Sequence, residues 1–157
     1  MRISVSTAVG TGPTALAAFD HALALAGVAN FNLIALSSVI PPGSDVVEEL
    51  PDLSAATWGD RLYVVMAQQR VVEPNVEAWA GVGWVQDPDG GRGLFVEHHG
   101  SSELAVREDI TASLKALMIT RGVDWEPVQM AVVGDRCQHD PLCALVVATY
   151  QSEPWTE

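Results

Sequence analysis

Two adjacent serines, Ser37 and Ser38, sit in an otherwise apolar stretch, Asn30-Phe-Asn-Leu-Ile-Ala-Leu-Ser-Ser-Val-Ile-Pro-Pro-Gly-Ser44. Leu33, Ile34, Leu36, Val39 and Ile40 are strand formers, and the run is bounded by asparagine at one end and Pro41-Pro42-Gly43 at the other, the pattern of a short buried strand. Asn32, Ser37 and Ser38 therefore need a reason to be there, because a buried hydroxyl or amide is costly unless it is hydrogen-bonded. One reading is that they satisfy a strand-to-turn corner; the other is that they do chemistry. Two carboxylates could join them. Glu97 shares a strand face with Phe95 and His99, a partly apolar setting that keeps an acid protonated and able to donate a proton near neutral pH. Asp20 follows Phe19 at the edge of the apolar stripe of a helix, where a side chain can face a cleft. For both, a solvated carboxylate is the competing reading.

Other chemistries find less support. Gly10-Thr11-Gly12-Pro13-Thr14 precedes a helix but lacks the Gly-Lys-Ser/Thr ending of a phosphate loop and the three-glycine spacing of a dinucleotide site. His98 and His99 point to opposite strand faces. His139 lies between Cys137 and Cys143, three ligands without the fourth of a structural zinc site, so no metal is expected. The two cysteines read as buried small hydrophobes in a reducing compartment.

The elements that must position these residues follow from periodicity. Ile3 to Val9 reads as a strand. Residues 13 to 26 read as an amphipathic helix, with Pro13 in the first turn, Leu16, Phe19 and Leu23 at helical spacing and Gly27 as the stop. Asp45 to Leu53, acidic and proline-broken, reads as an exposed loop. Arg61 to Gln69 and Val76 to Val85 read as strands, Asp87-Pro88-Asp89-Gly90-Gly91 as a hairpin turn, and Gly93 to His99 as the strand carrying Glu97. Residues 102 to 121 read as a second helix with a stripe of Val106, Ile110, Leu114 and Leu117, Gly122 as its stop, and Glu103 and Arg121 placed to suit the helix dipole. Val128 to Gly134 and Leu142 to Thr149 complete about seven strands, hence an α+β domain.

At 157 residues the chain (1–157) fits one domain, large enough to bury about 70% of its unfolded surface. A hydrophobic content of 48% without an apolar run near eighteen residues predicts no membrane span. Met1-Arg2-Ile3-Ser4-Val5 lacks a signal-peptide core, so the expected location is the cytoplasm. A net charge of −12 argues against nucleic acid and anionic membranes as partners and suits a small cationic molecule, although acidic surface also serves solubility alone.

The segment Asn30-x-Asn32-Leu33-Ile34-x-x-Ser37-Ser38-x-Ile40-Pro41-Pro42-Gly43 resembles the self-cleavage segment of pyruvoyl-dependent arginine decarboxylases. The resemblance extends upstream to Ala18-Phe19-Asp20-x-Ala22-Leu23-x-x-Ala26-Gly27 and downstream to Gly93-Leu94-x-x-Glu97-x-x-Gly100, three blocks in the right order. It implies a four-layer αββα sandwich, assembled as a homotrimer with active sites between subunits, and a precursor that cuts itself between Ser37 and Ser38. Ser38 would become the covalent pyruvoyl cofactor. Asn32 matches the position that stabilises the oxyanion at the Ser37 carbonyl, Glu97 the proton donor, and Asp20 the partner of the substrate guanidinium. The activity implied is decarboxylation of L-arginine to agmatine, for polyamine synthesis or acid tolerance.

The residue types suit that chemistry. A serine β-oxygen is both nucleophile, for an N-to-O acyl shift, and leaving group, for the β-elimination that follows. Asn32 is six residues before Ser38, on the same face if the strand stays regular, but too far along it for direct contact, so a bend or a neighbouring subunit must close the gap. Lys115 is the sole lysine and falls on an exposed helix face, so a lysine Schiff base to pyridoxal phosphate is not provided for. Two alternatives stay open: the same chemistry on another amino acid, since Asp20 reports a cation more than it reports arginine, and an unprocessed trimeric binding or scaffold protein.

Overall fold

The computed structural model describes residues 1–156. The chain runs β1 (Arg2–Thr11), α1 (Ala15–Leu25), β2 (Asn32–Ala35), β3 (Val39–Ile40), β4 (Asp45–Glu48), β5 (Arg61–Val71), β6 (Glu77–Gln86), β7 (Gly93–Gly100), α2 (Glu103–Arg121), β8 (Gln129–Arg136) and β9 (Leu142–Glu153). Five strands form one sheet in the order β2-β5-β9-β1-β4, and four form a second in the order β3-β7-β6-β8.

Side-chain alternation sets the layers. Along β9, Cys143, Leu145 and Val147 pack with Ala18, Ala22 and Ala26 of the α1 region. Ala144, Val146 and Ala148 point the other way, toward Ala80, Val82, Trp84 and Phe95 of the second sheet. A strand covered on both faces has no solvent side to reserve for polar residues, which is why Leu142 to Ala148 is uninterruptedly apolar. On the far side of the second sheet, Val106, Ile110, Leu114 and Met118 of α2 bury against Val85, Leu94 and Val96. Each such Leu or Ile removed from water contributes roughly 1.5–3 kcal/mol. The result is the four-layer αββα sandwich, with the largest core between the sheets.

Local chemistry fixes the helix ends. The Thr14 side chain accepts from Ala17 N–H at 3.0 Å and caps α1, so Pro13 stands outside the helix and not in its first turn. Ser102 caps α2 in the same way, and Gly122 ends it in the left-handed conformation. The α1 stripe also differs from expectation. Leu16 is exposed, and alanines 18, 22 and 26 face the sheet. The reason is close approach: a Cβ on Gly10 of β1 would collide with the backbone of Ala18 and Ala22, so only small residues fit on the helix face.

Two segments around the serines are not as their composition suggests. The apolar run is not one buried strand: β2 pairs parallel with β5 in the first sheet and β3 pairs antiparallel with β7 in the second. Asp45 to Leu53 is not all loop either, since Asp45–Glu48 forms β4, pairing in parallel with Arg2 to Val5 at the sheet edge. Val46 packs onto the inter-sheet core while Asp45 and Glu48, at the two ends of the strand, are exposed, a half-buried edge strand. Among the described residues no helix is long and apolar enough to cross a membrane.

Candidate functional site

The two serines occupy the crossing between the sheets. On the near side, Leu36 N–H donates to the Val64 carbonyl of β5 at 2.9 Å, just before the serines; on the far side, the Ser38 carbonyl accepts from Phe95 N–H of β7 at 2.8 Å. Between these anchors the chain must turn sharply, and Ser38 does so at φ 70°, left-handed. For a residue with a Cβ this conformation costs about 1–3 kcal/mol and persists only where the surroundings hold it. Ser37 is exposed and Ser38 half-buried.

Glu97 lies opposite. On β7, Leu94 and Val96 face α2 while Phe95 faces the inter-sheet core, so Glu97, two residues on, points into the space between the sheets as its parity with Phe95 predicts. The Ser38 hydroxyl donates to Glu97 Oε1 at 2.6 Å, a short O–H···O bond. The same pairing of faces sends His98 to Ser113 of α2 at 2.8 Å and His99 to Gln69 of β5 at 2.7 Å. The two histidines are thus seated apart, His98 against α2 and His99 against the first sheet.

Tyr150 of β9, which the sequence reading does not single out, closes the group. Its hydroxyl donates to the Val39 carbonyl at 2.9 Å, and its ring meets Phe95 edge-on with centroids 6.1 Å apart. Burial first, and the Glu97 carboxylate second, push its phenol well above the ordinary range. A tyrosine just after the apolar run of β9 is the signal that could have flagged it. Chemically, the arrangement offers a serine hydroxyl on a strained backbone with an acid and a phenol beside it. The setting of Ser38 fits a serine-derived pyruvoyl group: its hydroxyl is hydrogen-bonded to Glu97, and the residue before it, Ser37, is exposed.

The other expected residues are not brought here by one chain. Asn32 opens β2, and its side-chain amide donates to the Gly59 carbonyl at 2.6 Å, a carbonyl that also accepts from Trp155 Nε1 at 2.9 Å. The strand ends at Ala35, so the regular alternation that placed Asn32 and Ser38 on one face is broken. Asp20 is exposed on α1, with the first sheet between it and the space that Glu97 faces. Next to it, the Arg70 guanidinium lies 4.2 Å from the centre of the Phe19 ring. A groove of about 560 Å³, lined by Arg2, Ser4, Glu49, Asp52, Tyr150 and Gln151 among others, includes none of Ser37, Ser38 and Glu97. Cys137 and Cys143 are free and buried, and Lys115 is exposed.

Comparison with known proteins gives a consistent picture. The model of the family described as pyruvoyl-dependent arginine decarboxylase matches residues 2–153. A protein of Halobacterium salinarum named pyruvoyl-dependent arginine decarboxylase is 38% identical over 162 aligned residues, covering 98% of this chain and 96% of that one. Proteins of the same name from Thermoplasma volcanium and Picrophilus torridus are 35% and 29% identical over 96 and 103 residues, covering 60% and 65% of this chain and 53% and 57% of theirs.

Proposed function

Because the chain belongs to the pyruvoyl-dependent arginine decarboxylase family, we propose that it cuts itself between Ser37 and Ser38 and, as a homotrimer, decarboxylates L-arginine to agmatine and carbon dioxide. The observation that carries this reading is the 2.6 Å hydrogen bond from the Ser38 hydroxyl to Glu97 at a left-handed serine.

Self-cleavage begins when Ser38 Oγ attacks the Ser37 carbonyl carbon. The peptide C–N bond breaks, an ester to Ser38 Oγ replaces it, and the Ser38 nitrogen takes up a proton as an amine. Loss of the Ser38 Cα proton then expels Ser37 as a carboxylate and leaves dehydroalanine; water adds to its imine tautomer and ammonia departs, giving a ketone at residue 38. No oxidant is needed. Glu97 orients the hydroxyl for the first step, and the strain at Ser38 is relieved as the peptide bond opens.

The chemistry supplied by the pyruvoyl group is an electrophilic carbonyl for the substrate amine and an electron sink as carbon dioxide leaves. Glu97, already within hydrogen-bond reach of the residue-38 side chain, returns the proton to the substrate carbon. Asp20 pairs with the guanidinium, as arginine favours carboxylate partners. Since Asp20 is exposed on the outer helix, this role calls for a second copy to complete the site, in keeping with a homotrimer.

Intact mass of the purified protein is the test. Two chains, 1–37 and 38–157, the larger starting with a ketone, together with carbon dioxide release from arginine, are expected. A folded protein that stays full-length after prolonged incubation overturns the reading. A larger fragment starting with unmodified serine reduces it to hydrolysis, and a preference for lysine, ornithine or aspartate removes arginine from it.

A further inference from the structure

We propose that Tyr150 is a positioning residue for the reaction at Ser38: by holding the Val39 carbonyl, its hydroxyl fixes the C-terminal flank of the Ser37–Ser38 bond in the conformation from which self-cleavage starts. The proposal rests on the self-cleavage reading above.

A left-handed serine lasts only while both of its flanks are pinned. The N-terminal flank is pinned by Leu36 N–H on Val64. The C-terminal flank belongs to β3, which is two residues long and pairs with β7 only through Val39 with Leu94 and Ile40 with Gly93. So short a ladder gives weak restraint. Two further bonds make up for it: Phe95 N–H on the Ser38 carbonyl and Tyr150 Oη on the Val39 carbonyl. The second reaches from β9 of the first sheet to β3 of the second, so it ties the flank to the opposite wall of the sandwich. The Tyr150 ring is held edge-on by Phe95, the residue that supplies the first bond. Burial first, and Glu97 second, push the phenol up from its ordinary range, which favours the donor form. After cleavage, residue 38 keeps its own amide carbonyl, the acceptor from Phe95 N–H, and Val39 carries the next one, so the same two bonds then hold the new terminus beside Glu97.

Tyr150→Phe keeps the ring against Phe95 and removes only the hydroxyl. Tyr63→Phe is the matched control: Tyr63 on β5 also loses one hydroxyl bond, 2.6 Å to Glu153, in the same sheet but not to the Ser38 flank. Conversion of freshly folded full-length protein to two chains is followed by intact mass, with thermal melts to establish folding. The cleaved proteins are then assayed for carbon dioxide release from arginine, per mole of larger fragment. The expected result is cleavage roughly three- to tenfold slower in Tyr150→Phe, the effect of one neutral hydrogen bond, with parental cleavage in Tyr63→Phe. In turnover, kcat falls and KM for arginine is unchanged. Parental cleavage in Tyr150→Phe, equal slowing in both variants, or a Tyr150→Phe protein that does not fold each overturns the positioning role. If the parent itself never cuts, the reading of Ser38 fails first and Tyr150 falls with it, an outcome visible without either variant.

Discussion

Glu97→Gln separates the two tasks assigned to one carboxylate. Glutamine is nearly isosteric, and its carbonyl oxygen can still accept from the Ser38 hydroxyl, now 2.6 Å from Glu97 Oε1. A single hydrogen bond contributes about 0.5–1.5 kcal/mol net, so exchanging one acceptor for a weaker one costs the hold on Ser38 about 1 kcal/mol at most. That slows self-cleavage about fivefold at most. Turnover loses far more, because an amide cannot donate the proton that the substrate carbon must regain; loss of a general acid typically costs about 10²- to 10⁴-fold. The assay is a time course of intact mass for cleavage, followed by carbon dioxide release at saturating arginine, normalised to cleaved chain. If cleavage falls as far as turnover, Glu97 is the base of the acyl shift and not merely its orienting partner. If turnover keeps the parental rate, Glu97 has no part in proton return.

Asp20→Asn should leave folding and cleavage intact and raise KM for arginine at least tenfold, since removing one partner of a desolvated charge pair typically costs about 2–5 kcal/mol; unchanged arginine kinetics would rule out the guanidinium contact. Ser38→Ala and Ser38→Gly should both remain uncut, with the glycine variant more stable by about 1 kcal/mol in urea denaturation because φ 70° suits glycine and strains alanine; equal midpoints would show that the strain is absent. The Arg2 side chain, aided by Ser4, holds the Glu49 carboxyl down at about 2. The folded value lies below the unfolded one, so this contribution is complete above pH ~4.5 and is lost as pH falls toward ~2. The gap in urea midpoint between parent and Glu49→Gln should therefore be widest near neutrality and close across that window. A gap independent of pH would place the effect in packing.

Periodicity served best where a single face decides the outcome. Val106, Ile110 and Leu114 bury as their spacing predicts, because α2 lies on one sheet and nothing else competes for its stripe. It served less well on α1, where the helix sits so close to Gly10 that alanines take the inner face and the larger Leu16 is left outside. The serine segment defeated it for a different reason. Leu33 to Ile40 has the composition of one strand, and composition does not say that its two halves pair with different sheets. The direction of the Glu97 side chain was legible because β7 keeps strict alternation. Tyr150 was not, because its role depends on a partner 111 residues away.

The magnitudes show what the crossing can and cannot do. About 1–3 kcal/mol of backbone strain at Ser38, even if released fully in the transition state, accelerates acyl transfer by roughly 5- to 150-fold. That is far short of what breaking a peptide bond requires. Orientation of the hydroxyl by Glu97 and restraint of the flank by Phe95 and Tyr150 add to it by holding attacking and attacked atoms together, a larger effect when the geometry is tight. The remaining requirement is a donor for the oxyanion on Ser37, worth about 10²- to 10³-fold in acyl transfer generally. Among the described residues no hydrogen bond reaches the Ser37 carbonyl, and the Asn32 amide is engaged with Gly59. On the proposed self-cleavage, the single chain supplies the nucleophile, its orientation and the strain, and the oxyanion donor comes either from Asn32 released from Gly59 or from a second copy.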